Sequence, residues 1–137
     1  MSQENVAIVR RAWEAYMRRD NEATLALYDQ EVELHHPVDG SVYRGLDGVR
    51  TYFRDWFDVW GEQSFNNLKE LIDAGDDVIA VMHVGARGRR SGVAVERREW
   101  HVWTLRDRKL WRLRIYATKS EALEAVGLSE QDAHADS

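Results

Sequence analysis

The C-terminal half of the chain consists of segments with alternating apolar and polar residues, separated by short turns. Alternation with a period of two is typical of strands that have one buried face. The alternating segments are residues 65–74, 78–87, 93–105 and 109–117, and the turns between them are residues 75–77, 88–92 and 107–108. Strands joined by tight turns pair as consecutive hairpins, so this half of the chain predicts an antiparallel sheet.

The N-terminal half has apolar residues at helical spacing in residues 3–19 and 46–60. The second of these helices carries a broad aromatic stripe, formed by Val49, Tyr52, Phe53, Trp56, Phe57 and Trp60. A short helix over residues 21–28, with Tyr28 buried at its end, and a strand over residues 31–36 are predicted between them. This order predicts an α+β fold, because amphipathic helices must bury their stripes against one face of the sheet.

The length of 137 residues predicts one domain, over residues 1–128, followed by a polar, disordered tail at 129–137. The chain contains six Trp residues, which is many for this length. Because each indole buries a large area and has an N–H group that needs a partner, the Trp content suggests a densely packed core or a cavity lined by aromatic rings.

Composition excludes several functional classes. The net charge of −5 argues against nucleic acid as a partner, because phosphate binding needs a basic surface. The absence of cysteine excludes disulfides, thiolate catalysis and zinc sites with sulfur ligands. No apolar run approaches the roughly 18 residues of a spanning helix, and the N-terminus does not resemble a signal peptide. We therefore expect a cytoplasmic protein with no membrane partner.

Two histidines on predicted strands are candidates for chemistry. His36 shares a strand face with Val32 and Leu34, and His101 shares one with Glu99 and Trp103. Neutral imidazole can abstract a proton near pH 7. The alternative is that each is a core or surface histidine with a structural hydrogen bond, and periodicity alone leaves open which face of residues 93–105 is inside.

Metal binding is not expected. His35 and His36 are adjacent in a strand and therefore point to opposite faces, and neither an HxH nor an HxxxH spacing occurs. A site assembled from His36, His101 and Glu99 is conceivable, but the prediction is a protein with no metal and no cofactor.

Two segments carry a family resemblance. The order of elements, together with ALYDQEVELHHPVDGSVYRGLDGVRTYF and WHVWTLRDRKLWRLRIYATKSEAL, resembles the SnoaL-like branch of the nuclear transport factor 2-like superfamily. That superfamily includes ketosteroid isomerases, polyketide cyclases and limonene epoxide hydrolases. The resemblance covers roughly residues 3–127, and it implies a cone of curved sheet with helices on its concave face, an apolar pocket, and often a dimer.

The ketosteroid isomerase pattern implies specific positions here. The general-base Asp of that family, which precedes a proline, matches His36, and its oxyanion-hole Asp matches His101. Its oxyanion-hole Tyr matches Ala12, so none of the three family residues is present. Tyr16 lies one helical turn beyond Ala12 and is an alternative hydroxyl donor. The resemblance also assigns the face of His101 and Glu99 to the pocket, where Glu99 would orient His101.

The expected pocket wall is aromatic, and its ligand-binding residues are predicted to be Trp13, Tyr52, Trp56, Trp60, Met82 and Trp103. Three hypotheses stay open. The first is a cofactor-independent isomerase, cyclase or hydrolase that acts on an apolar carbonyl compound, with His36 as base and His101 or Tyr16 as donor. The second is a non-catalytic ligand-binding module, and the third is a protein-interaction domain. Under all three, a homodimer could bury the convex sheet face that carries Trp100, Val102 and Tyr116.

Overall fold

The predicted helices and strands occur in the predicted order, and one short strand that was not predicted, over Val42–Arg44, lies between the first strand and the second long helix. The computed structural model describes residues 2–36, 40–60, 64–87 and 92–129. The helices in this part of the chain are α1 (Ser2–Met17), α2 (Asn21–Leu25), α3 (Gly45–Trp60) and α4 (Lys119–Ala125). The strands are β1 (Tyr28–His35), β2 (Val42–Arg44), β3 (Phe65–Ala74), β4 (Asp77–Arg87), β5 (Ala94–Arg106) and β6 (Lys109–Tyr116). Residues 88–91 of the predicted turn and 130–137 of the predicted tail lie outside the described residues.

The six strands form one sheet in the order β2-β1-β6-β5-β4-β3. Every neighbouring pair is antiparallel except β1 and β6, which run parallel with Leu34 beside Leu113. The α+β prediction is confirmed, and so is the antiparallel pairing of the hairpin strands β3 to β6. The sheet as a whole is mixed, because β1 joins it parallel to β6. β2, α3 and strands β3 to β5 lie between β1 and β6 in the chain, so no tight turn forces these two strands into opposite directions.

The long helices cover one face of the sheet, which we call the cavity face. Buried residues of α1 and α3, among them Val9, Ala12 and Val49, form a core with Val32 and Leu34 of β1. Alternate residues of β4 and β5 join the same core, as the period of two requires. Leu110 and Leu113 of β6 also join it, on either side of an irregularity in the register with β5. The helical stripes and the strand alternation therefore meet where the sequence predicts.

The opposite face of the sheet, which we call the outer face, is partly covered by α4. Ala122 and Leu123 are buried there against Ile79, Val81 and Val102. The prediction that the helices pack on one face is therefore right for α1 and α3 and wrong for α4. Val102 is 0% exposed within the single chain. The homodimer through the sheet face stays a prediction, but the chain itself already covers that part of the predicted surface.

The start of β1 also differs from the prediction. The side chain of Asp20 accepts a hydrogen bond from the backbone N–H of Ala23 at 3.1 Å and caps α2, which ends at Leu25. Tyr28 is therefore not at a helix end but is the first residue of β1, and it is buried in the core of the cavity face. A register shift between Tyr28 and Glu33 interrupts the alternation and hides the strand's beginning from a periodicity argument.

Candidate functional site

A cavity of about 120 Å³ lies between the cavity face of the sheet and helices α1 and α3. Its wall is mostly aromatic and aliphatic, with few polar groups. A dry cavity of about 150 Å³ in another protein holds benzene, so this one is the size of a single small ring. A concave, apolar space with a few convergent polar groups is the usual form of a small-molecule site.

Most of the sequence-predicted site residues line this cavity. They are Trp13, Tyr16, Tyr52, Trp56, Met82, Glu99, His101 and Trp103. Four elements contribute them, because α1 and α3 present their aromatic stripes inward and β4 and β5 present alternate residues. The indole of Trp13 is fixed by a hydrogen bond from Nε1 to the backbone oxygen of Asn66 at 2.9 Å. Periodicity alone did not decide which face of β5 is inside. In the structure, the face that carries Glu99, His101 and Trp103 lines the cavity.

The main polar group of the wall is a buried carboxylate on β5. Glu99 is 8% exposed, and its Oε1 lies 2.9 Å from Nε2 of His101. Its other oxygen, Oε2, accepts hydrogen bonds from Nε and Nη2 of Arg97 at 2.8 and 2.7 Å. Residues 97, 99 and 101 alternate along one strand face, so the spacing of the sequence produces this chain of contacts directly.

The charge state of Glu99 follows from these contacts. Burial raises the pKa of its carboxyl, but the hydrogen bonds and charges of His101 and Arg97 outweigh burial, and the pKa is lowered overall. Glu99 is therefore ionised at neutral pH and can only accept hydrogen bonds. Nε2 of His101 must then be the donor, which leaves Nδ1 as the nitrogen with the free lone pair in the neutral ring.

Three tyrosine side chains complete the polar part of the wall. Tyr16 of α1, Tyr28 of β1 and Tyr52 of α3 all line the cavity. None of their hydroxyls has a hydrogen-bond partner among the described residues. Tyr28 is buried and the other two are half-buried, and none of the three oxygens is among the fully enclosed polar atoms without a partner. These three are therefore available to a molecule that enters the cavity.

The three phenols stay protonated at neutral pH. Burial is the main cause that raises the pKa of Tyr28, and repulsion from Tyr16 and Tyr52, which carry the same negative charge when they are ionised, adds to it. Burial also raises the pKa of Tyr52, helped by the charge of Glu99. For Tyr16, burial raises the pKa and the nearby charge of Arg19 opposes it. All three groups are therefore hydrogen-bond donors towards a ligand oxygen.

His36 does not line this cavity, and the prediction for Trp60 falls on a side chain outside the described residues. The backbone N–H of His36 donates to the oxygen of Ser41 at 2.8 Å, and its ring centroid lies 6.4 Å from that of Tyr52. His36 is not among the side chains that line the cavity, and Tyr52 is the lining residue next to it. The side chain of Trp60 lies outside the described part of the chain.

Several lining residues were missed by the sequence argument, and Tyr28 is the most consequential. Its ring packs edge-on against Trp103 with centroids 5.6 Å apart, which holds the phenol in the wall. The sequence signal that could have found it is the run from Tyr28 to Val32 and Leu34, but the shift in register breaks that pattern. Phe53, by contrast, belongs to the predicted stripe of α3 and lines the cavity beside Tyr52.

Two further observations concern metals and membranes. In residues 2–36, 40–60, 64–87 and 92–129, no three His, Asp or Glu side chains come together in a way that could hold a metal ion. None of the helices in these segments is both long and apolar enough to cross a bilayer.

Comparison with known proteins identifies the family of the fold. The family model of the SnoaL-like domain matches residues 9–113. A nuclear transport factor 2-like protein from Burkholderia thailandensis E264 is 27% identical, with a TM-score of 0.75 over 91% of this chain and 98% of that one. TerC, co-crystallised with polyporic acid, is 22% identical, with a TM-score of 0.73 over 90% of this chain and 98% of that one.

A more distant structure shares the same architecture. A protein with a ketosteroid isomerase-like fold from Catenulispora acidiphila DSM 44928, in complex with trimethylamine, is 16% identical, with a TM-score of 0.70 over 89% of this chain and 93% of that one. No curated protein sequence matches the chain. Because the family model spans most of the chain and these structures share its fold, the chain belongs to the SnoaL-like domain family.

Proposed function

We propose that the cavity binds a small apolar carbonyl compound and that His101 moves a proton on the carbon next to the carbonyl group. The observation that carries this proposal is the composition of the wall. Three tyrosine hydroxyls without partners among the described residues lie in the same apolar space as a histidine held by an ionised carboxylate. Hydroxyl donors fit a carbonyl oxygen, and a histidine with one free nitrogen fits a general base.

The chemistry uses only groups of this chain. Nδ1 of His101 takes a proton from the carbon next to the carbonyl, and the electron pair of the broken C–H bond moves towards the carbonyl oxygen. Hydroxyl groups of Tyr28 and Tyr52 donate hydrogen bonds to the oxygen as it becomes negative. Glu99 balances the positive charge that forms on His101. If the ligand has a β,γ double bond, the enolate is conjugated with it, and return of the proton from His101 to the γ-carbon gives the α,β-unsaturated isomer. If the ligand has a second carbonyl group, attack of the enolate carbon on that carbonyl closes a ring, and the proton held by His101 neutralises the alkoxide that forms.

The assignment of His101 as base departs from the assignment suggested by the family resemblance, in which His36 was the base and His101 a donor. Nε2 of His101 is engaged by Glu99, so Nδ1 is the ring nitrogen that remains for proton transfer. His36 does not line the cavity, and its ring lies 6.4 Å from that of the lining residue Tyr52. These two positions favour His101 as base and the tyrosines as donors.

Two other observations bear on the alternatives. TerC, which shares the fold, was co-crystallised with polyporic acid, and this supports a small organic molecule as the occupant. An interaction domain would need a filled cavity and a large exposed apolar face. The exposed large apolar residues of the described chain are Met17, Val93 and Val95, and the cavity is open, so the geometry favours small-molecule binding.

The test uses cyclohexanone as a probe, because a six-membered ketone suits a cavity of about 120 Å³. Exchange of its α-protons for deuterium in D₂O is followed by proton NMR. We expect exchange above the buffer rate with the native chain, and a loss of about 10²- to 10⁴-fold in the His101→Gln variant. The Tyr28→Phe variant is expected to lose about tenfold or more, because one donor to the developing oxyanion is removed.

His36→Gln is the matched control, since it makes the same chemical change at the other candidate histidine. It is expected to exchange at the native rate. Native exchange in His101→Gln would remove that residue from the mechanism. Cyclohexanone that binds without any exchange above the buffer rate would contradict catalysis and leave a ligand-binding domain.

A further inference from the structure

A second, larger space adjoins the cavity on the side of α1 and α3. It is a groove of about 560 Å³, and it shares four lining residues with the cavity: Tyr16, Phe53, Trp56 and Asn66. The rings of Tyr16 and Phe53 lie 5.1 Å apart at a tilt of 52° in this shared boundary. The two spaces are therefore neighbours, separated by one layer of side chains.

The groove differs from the cavity in its charge. Three arginines line it, Arg19 at the end of α1 and Arg50 and Arg54 on α3. No Asp or Glu is among the described residues that line it. The positive charge is concentrated here although the chain as a whole has a net charge of −5. A cleft lined by charges of one sign concentrates molecules of the opposite charge.

The arginines of the groove have few internal counter-charges. Nη1 of Arg50 contacts Oδ1 of Asp47 at 2.7 Å, but that carboxylate is 100% exposed, so the pair is weak. The guanidinium of Arg19 lies 5.7 Å above the ring of Phe57 and has no carboxylate partner among the described residues. Arg54 has no ionic partner in the described part of the chain.

The spacing of these charges is unfavourable in the absence of an anion. Arg50 and Arg54 are four residues apart on α3, where like charges repel each other. Arg19 brings a third positive charge from α1 to the same groove. A guanidinium group presents a planar fork of N–H donors that matches a carboxylate. An organic carboxylate would remove the repulsion and use the donors.

We propose that the groove binds the carboxylate of a ligand whose apolar ring occupies the cavity, with Arg19 and Arg54 as the main anion-binding residues. This inference rests on the proposed function, because it takes the cavity as the site of the ring. A ligand that spans both spaces must pass the layer formed by Tyr16, Phe53 and Trp56, and side-chain rotations of this kind are common on binding. The ligand class is then a ring with a carboxylate on a short flexible arm.

The test compares two probes of equal shape, 3-phenylpropionate and its neutral amide 3-phenylpropionamide, by titration calorimetry at low salt. We expect the acid to bind about three- to tenfold more tightly than the amide, because partly exposed ion pairs contribute modestly. The preference is expected to shrink in about 0.5 M salt, where exposed charges are screened. Phenylacetate and 4-phenylbutyrate vary the arm length, and we expect one length to be preferred.

Variants locate the effect. Arg19→Gln and Arg54→Gln are each expected to lose most of the preference for the acid while they keep the affinity for the amide. Arg18→Gln is the matched control, because Arg18 is exposed, carries the same charge and is not a lining residue of the groove.

The possible failures are distinguishable. Equal affinity for acid and amide in the native chain would overturn the carboxylate site and leave the cavity proposal intact. A preference for the acid that survives in the Arg19→Gln, Arg54→Gln double variant would also overturn it. If neither probe binds although cyclohexanone does, the ligand that spans both spaces is overturned and the proposed function stands. If cyclohexanone also fails to bind, this inference fails together with the proposed function.

Discussion

Replacing Tyr28 by Phe should make the folded chain more stable, although it removes a polar group from a buried site. Tyr28 is 8% exposed, its hydroxyl has no hydrogen-bond partner among the described residues, and the oxygen is not fully enclosed by protein, because Tyr28 lines the cavity. A hydroxyl without a partner in a largely apolar space costs at most about 1–3 kcal/mol by mutational data. A water molecule in the cavity can recover part of this cost. We therefore expect Tyr28→Phe to raise the free energy of unfolding by about 1 kcal/mol.

The ring contact with Trp103 is kept in this variant, so packing does not change. Urea unfolding followed by fluorescence measures the effect directly, and a Tm increase of about 3 °C should accompany it. Tyr43→Phe is the control, because the Tyr43 hydroxyl donates to Asp55 across an exposed contact of 3.4 Å. That variant is expected to change stability by less than about 0.5 kcal/mol.

The result that would refute this reasoning is a clear loss of stability in Tyr28→Phe. It would mean that the hydroxyl is bound within the folded chain and is not reserved for a ligand. Greater stability together with weaker binding of cyclohexanone is the result expected if the hydroxyl serves ligand binding and destabilises the free protein.

Three further predictions concern residues around the cavity and the sheet. The pKa of Glu99 is lower in the folded chain than its ordinary value of 4.5. Its ionised form therefore stabilises the fold above pH 4.5, and this stabilisation is lost as the pH falls through the pKa of the folded state. Urea unfolding at a series of pH values should show the Glu99→Gln variant to be about 1.5 kcal/mol less stable than the native chain at neutral pH and no less stable in acid. Equal stability of the two proteins at neutral pH would contradict the buried ion contact. Gly85→Ala should lower the free energy of unfolding by about 1–3 kcal/mol, because a Cβ there would lie 2.4 Å from the ring of Phe65. In thermal melts, adding Phe65→Leu should restore most of this loss. No recovery would mean that the backbone rather than the ring causes the conflict. Leu34→Ala should lower the free energy of unfolding by about 3 kcal/mol and enlarge the cavity. In calorimetry, the larger ketone 1-tetralone should therefore gain affinity relative to cyclohexanone. An unchanged ratio of the two affinities would place Leu34 away from the bound ligand.

The elements of the fold were largely predictable from periodicity, because each helix and hairpin strand buries one face. Pairing between segments that are distant in the sequence was not predictable. The parallel contact of β1 with β6 depends on where the chain returns to the sheet, and no local sequence pattern indicates it. The position of α4 on the outer face was missed for a related reason. A helix of seven residues with a small apolar face can pack on either side of a sheet, and only the burial of Val102 shows which side it covers.

The site was predictable where a regular element holds the residue and not where regularity ends. Tyr52 and Trp56 lie in the middle of α3, and Glu99 and His101 lie in the middle of β5, so their faces follow from the periods of helix and strand. His36 follows the last residue of β1, where alternation no longer fixes the direction of a side chain.

The most direct test of the central claim is the carbonyl ¹³C resonance of carbonyl-labelled cyclohexanone bound to the native chain and to Tyr28→Phe. Hydrogen bonds from tyrosine hydroxyls draw electrons from the carbonyl group, so we expect a downfield shift on binding that is smaller in Tyr28→Phe. A bound resonance at the position seen in an apolar solvent, equal in both proteins, would show that the hydroxyls of the cavity do not contact the ligand oxygen.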